Sequence, residues 1–71
     1  MHRFIIRKGE KILHIKVRLC TKARRSYFQI WSREDRFFSK WRYIAQAEDE
    51  AAIRPLINRC FGYTAVITEM E

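Results

Sequence analysis

The sequence predicts an α+β fold: an antiparallel sheet of four to five strands in the order β-β-β-β-α-β, with one helix packed on one face. Three observations lead there. Leu13, Ile15, Val17 and Leu19 alternate with His14, Lys16 and Arg18, the period of two of a half-buried strand. Ile53, Leu56, Ile57 and Cys60 recur at helical spacing. The connections between the apolar runs are short, which favours antiparallel pairing.

Arg3 to Arg7 is a short β-like run, and Gly9 in Lys8-Gly9-Glu10 supplies the positive φ that a hairpin turn needs. Lys11 to Cys20 is the partner strand. A polar linker, Thr21 to Arg25, leads to a third strand over Ser26 to Ser32, with Phe28 and Ile30 on one side and Tyr27, Gln29 and Trp31 on the other. Ser32 to Arg36 turns the chain. Phe37 to Gln46 reads as a fourth strand with large apolar groups on both faces, Trp41 and Tyr43 being directed at the helix. The acids Glu48, Asp49 and Glu50 suit the first turn of a helix, where they complement the positive end of its dipole. Pro55 requires that this helix either kinks or begins later than the acids. Gly62 is a natural stop, and Tyr63 to Thr68 reads as a closing strand.

Seventy-one residues make one small domain, 1–71, since a chain this short hides only about 60% of its unfolded surface. Hydrophobic residues make up 48% of the chain, with only two Gly and one Pro, which argues against disorder. The net charge of +7 is unevenly placed. Residues 1–47 carry thirteen Lys and Arg against three acids, whereas residues 48–71 carry two against five. A field concentrated in this way attracts polyanions.

Strand alternation assigns a core of Phe4, Ile6, Leu13, Ile15, Val17, Leu19, Phe28, Ile30, Trp41 and Tyr43. The opposite face then gathers Arg3, Arg7, His14, Lys16, Arg18, Arg25, Tyr27, Gln29, Trp31, Arg33, Lys40 and Arg42. From this face and its turns, Lys16, Arg18, Lys22, Arg24, Arg25, Arg33, Lys40 and Arg42 are the expected phosphate or partner contacts. Tyr27 and Trp31 are the expected stacking groups. A solvated face of an ordinary one-sided sheet has a similar composition, so the pattern by itself fits both readings.

Other chemistries find less support. His2, His14, Cys20 and Cys60 lack the paired short spacing of a zinc finger, so no metal or other cofactor is expected. No Gly-rich phosphate loop or nucleophile motif is present, and alternation places no carboxylate beside His14 to make it a base. The two cysteines are expected as small core residues. The start MHRFIIRKGEK has charge where a secretory signal needs a continuous apolar run, and no apolar run nears the roughly 18 residues of a spanning helix. A reducing cytoplasm and no membrane partner are therefore expected.

The stretch from Lys11 to Phe61, with AQAEDEAA (Ala45 to Ala52) leading into its helix, loosely resembles the sheet-plus-helix DNA-binding modules of AP2 domains and phage integrase N-terminal domains. Their glycines and tryptophan spacing are not reproduced, so no residue role is carried over. A free-standing basic domain also resembles the small accessory proteins of phages and mobile elements, anti-CRISPR inhibitors among them. The reading is a non-enzymatic protein that binds nucleic acid, RNA or DNA, or a nucleic-acid-containing complex. One alternative is an accessory protein that inhibits a host protein or ribonucleoprotein by direct contact with its acidic surface. A lesser one is a metal-independent ribonuclease toxin using His14, Lys16, Arg18 and Tyr27.

Overall fold

In the computed structural model, which describes residues 2–62 and 66–70, five antiparallel strands form one sheet in the spatial order β4-β3-β2-β1-β5. The strands are β1 (His2–Lys8), β2 (Lys11–Lys22), β3 (Arg25–Glu34), β4 (Arg42–Ala47) and β5 (Val66–Met70). A 3-10 turn, Glu50–Ala52, leads into α1 (Ile53–Phe61). The predicted α+β class and element order are those observed.

Two tight turns fix the first two hairpins. Gly9 sits at φ 61° between the paired Lys8 and Lys11, with positive φ at the first turn residue only, the pattern of a type II′ turn. Between β2 and β3 the expected linker Thr21 to Arg25 shrinks to Ala23 and Arg24, at φ 51° and 65°. Positive φ at both positions marks a type I′ turn built without glycine. It matches the right-handed strand twist at a steric cost.

The core lies between the sheet and α1. Phe4, Ile6, Ile15, Val17, Ile30, Ala47, Ile53 and Ile57 are buried, with Leu13, Phe28, Ile44, Leu56, Phe61 and Ile67 packed around them. Register joins the strand contributions: Phe4 pairs with Ile15, Val17 with Ile30, and Ile6 with Leu13 on one side and Ile67 on the other. Asp49 caps the 3-10 turn, its Oδ1 accepting from the Ala52 amide at 2.9 Å. The α-helix thus begins after the acids, and Pro55 falls in its first turn, where an amide hydrogen has no intrahelical acceptor to lose. Gly62 closes it at φ 89°, donating to the Asn58 carbonyl at 2.8 Å. His2 ties three elements together, with Nε2 2.8 Å from Glu50 and Nδ1 3.0 Å from Glu69.

Several expectations are corrected. The fourth strand does not begin at Phe37: residues 35–41 form a loop, with Phe37 and Phe38 each 91% exposed and Phe38 at φ 72°. Trp41 and Tyr43 are not core residues. A bulge between Ile30 and Trp31 pairs Ile30 with Ala45 but Trp31 with Tyr43, so Ile44 is the extra residue and turns to the core. That single insertion moves Tyr43 to the opposite face and Arg42, paired with buried Ser32, to the helix side. Leu19 keeps its predicted side but is not among the residues packed on the core and is 61% exposed. Neither cysteine is in the core; Cys20 is half-buried opposite Tyr27 and Cys60 is exposed. The closing strand is present over Val66–Met70 and runs two residues past its expected end at Thr68, while its expected start at Tyr63, with Thr64 and Ala65, lies outside the described residues.

Candidate polyanion interface

The sheet face away from α1 carries the candidate site. Alternation and register place on it Arg3, Ile5 and Arg7 of β1, and Ile12, His14, Lys16, Arg18, Cys20 and Lys22 of β2. Arg25, Tyr27, Gln29, Trp31 and Arg33 come from β3, and Tyr43 and Gln46 from β4. Val66, Thr68 and Met70 of β5 give it an uncharged margin. No described strand position on this face is an Asp or Glu, because Glu34 and Glu69 pair with Leu13 and Phe4 on the helix side.

The cations of this face oppose one another. Arg3 pairs directly with Lys16, and Lys22 with Arg25. Like charges directly across a sheet are destabilising by some tenths of a kcal/mol, and no acid lies between these pairs to offset them. The fold holds them there through the packing of the other face.

Lys16 is the centre of the site. Its Nζ lies 4.5 Å from the centre of the Trp41 ring and 5.8 Å from that of Trp31. The Arg33 guanidinium lies 5.5 Å from Trp41, and Trp31 meets Tyr43 edge-to-face at 5.6 Å. Trp31 Nε1 also donates to Gln29 Oε1 at 3.3 Å. These rings position the cations, because the negative face of an aromatic ring attracts them. Trp41, 37% exposed, and Tyr43, 50% exposed, are site residues that sequence reasoning had placed in the core.

Of the sequence-predicted contacts, Lys16, Arg18, Lys22, Arg25, Tyr27, Trp31 and Arg33 share this face, and Arg24 is at its hairpin tip. Tyr27 and Trp31 are four residues apart on one strand, about 13 Å, so they are two separate contacts and not one stacking platform. Lys40 and Arg42 are not part of the face. They line an open recess of about 580 Å³ at the helix-side end of the sheet, with Leu13, Ile44 and the Phe37–Phe38 loop.

His14 has a carboxylate neighbour after all. Its Nε2 is 2.9 Å from Asp35 Oδ1, supplied from just beyond the end of β3, where the Asp35 amide donates to the Ile12 carbonyl at 3.0 Å. Alternation cannot see this contact because Asp35 follows the strand. Among the described residues, no group of three or more His, Cys, Asp or Glu is placed to hold a metal ion. Nor is any described helix long and apolar enough to cross a membrane.

Comparison with known proteins gives no match to a family model, to a curated protein or to a solved structure.

Proposed function

We propose that this protein is a non-enzymatic binder of nucleic acid, free or within a nucleic-acid-containing complex, and that the open sheet face is its contact surface. The observation that carries the reading is the opposition of Arg3 to Lys16 and of Lys22 to Arg25 on a face whose described strand positions hold no acid. An anion seated between such pairs turns a repulsion into two attractions, and a phosphate backbone offers anions in series. Lys16, Arg18, Lys22, Arg24, Arg25 and Arg33 take the phosphates in this reading, with Arg3 and Arg7 extending the track and Tyr27 and Trp31 meeting the sugar–base side.

Titration of fluorescently labelled single and double strands at several salt concentrations tests it. With about five phosphates neutralised, log affinity for duplex falls against log salt with a slope of roughly −4 to −5. Absence of binding at low salt refutes the reading.

A second reading, an accessory protein that occupies a host protein or ribonucleoprotein, is favoured by the Phe37–Phe38 loop. Two rings, 91% exposed and 5.0 Å apart edge-to-face, are the kind of apolar anchor that protein interfaces bury. It forecasts weak affinity for free nucleic acid and capture of one complex from host lysate that persists after nuclease treatment. Loss of the captured complex on nuclease treatment favours the first reading.

A further inference from the structure

The β2–β3 hairpin is longer than the sheet that supports it. Pairing of β1 with β2 ends at His2 opposite Val17 among the described residues, and pairing of β4 with β3 ends at Ala47 opposite Phe28. Beyond Leu19 and Phe28, three further pairs, Cys20–Tyr27, Thr21–Ser26 and Lys22–Arg25, continue to the Ala23–Arg24 turn with no described strand on either flank. Three pairs at about 3.4 Å each reach roughly 10 Å past the sheet before the turn is added. The 61% exposure of Leu19 marks where support from the core ends.

Charge on this arm has one sign. From Lys11 to Arg33 the chain holds seven Lys and Arg and no Asp or Glu. Lys22 and Arg25 lie on the arm's open side, continuous with Lys16, Arg18 and Arg33 behind them, and Arg24 is at the tip. All four of Lys22, Ala23, Arg24 and Arg25 are exposed. The turn itself keeps Ala23 and Arg24 at positive φ, where glycine or asparagine would relieve strain, and so retains a guanidinium at the most advanced point.

We infer that this arm enters the major groove of B-form DNA, so that the polyanion of the proposed function is duplex DNA. The inference rests on that reading and narrows it. A two-stranded ribbon fits a groove about 12 Å wide and 8.5 Å deep, which the arm's reach matches. The minor groove, about 6 Å wide, does not admit it undeformed, and the major groove of A-form RNA is too narrow for side-chain access. In this placement Arg24 addresses base edges, where guanine N7 and O6 accept from arginine. Arg18, Lys22 and Arg25 lie against the phosphates that border the groove.

The test compares one mixed-sequence 20-base-pair DNA duplex, the RNA duplex of the same sequence and one DNA strand. Each is labelled and titrated with the wild-type chain and with the triple variant Lys22→Gln, Arg24→Gln, Arg25→Gln. Circular dichroism melting verifies that the variant, altered only at exposed positions, remains folded. The inference expects the DNA duplex to bind at least tenfold more tightly than the RNA duplex. It expects the variant to lose tenfold or more on the DNA duplex, with a salt slope less steep by about 1.8, at about 0.9 for each of the two phosphate contacts Lys22 and Arg25, and to stay within threefold on the single strand. Dimethyl sulfate footprinting adds a groove-specific readout: wild type protects guanine N7, in the major groove, and the variant does not. Equal or tighter binding of the RNA duplex, protection of adenine N3 in place of guanine N7, or an equal loss on duplex and single strand overturns the groove assignment while leaving the polyanion reading standing. No binding to any of the three at low salt removes both.

Discussion

Replacing Lys16 with Met separates a functional face from mere net charge. Lys16 lies between Arg3 and Trp31 in register and has its ammonium 4.5 Å from the Trp41 ring. Methionine preserves most of the aliphatic stem against the two indoles and removes the charge. In the free protein the change forfeits a partly exposed cation–π contact of about 0.5–1 kcal/mol and relieves the repulsion with Arg3, some tenths of a kcal/mol in return. The net cost is therefore at most about 0.8 kcal/mol, a melting shift of no more than about 3–6 °C in a domain of this size. Binding is affected far more. One phosphate contact contributes about 0.9 to the salt slope, so its loss weakens affinity at 0.1 M salt by about eightfold relative to extrapolation to 1 M. Lys8→Met is the matched control: it makes the same charge change on the helix side, where Lys8 pairs with Lys11. Anisotropy titrations of duplex DNA at four salt concentrations read both variants. The expected result is a slope less negative by about 0.9 for Lys16→Met and little change for Lys8→Met. An unchanged Lys16→Met slope, or equal weakening by the two, refutes the assignment of binding to one face.

Three further outcomes are expected. Ala23→Gly relieves a left-handed alanine at φ 51° and stabilises the protein by about 0.5–1 kcal/mol after the entropy of the more flexible unfolded chain is counted, read as a higher urea midpoint with unchanged m-value. Ile57→Ala, at a position with no exposure, removes about 2–5 kcal/mol, a large part of the stability of so small a domain, and the variant's thermal midpoint falls steeply. Labelled RNA incubated with the protein stays intact, whereas cleavage abolished by His14→Ala would make the His14–Asp35 pair catalytic and displace the non-enzymatic reading.

The two sides of β2 were legible because alternation is a local property: each residue turns opposite to its neighbour whatever the partner strand does. The same reasoning placed Phe28 and Ile30 in the core and Tyr27, Trp31 and Arg33 outside. Gly9 and Gly62 marked their turns because positive φ selects glycine. Alternation failed at the fourth strand. The bulge beside Trp31 inverts the sidedness of residues 41–43, and nothing local in WRYIAQA announces an inserted residue, since a bulge is defined by the strand it faces.

By itself, then, the sequence determined the class of fold, the side-to-side division of three strands and the basic charge of the first two thirds of the chain. All of these follow from period, residue type and composition. Tertiary structure decided which cations face one another, that Trp41 and Tyr43 join Trp31 around Lys16, that Arg42 and Lys40 leave the basic face, and that Asp35 reaches His14. It also decided that the β2–β3 hairpin outruns its neighbours. Each of these depends on the register and relative length of strands distant in sequence, and those are set by how the shared core packs against α1.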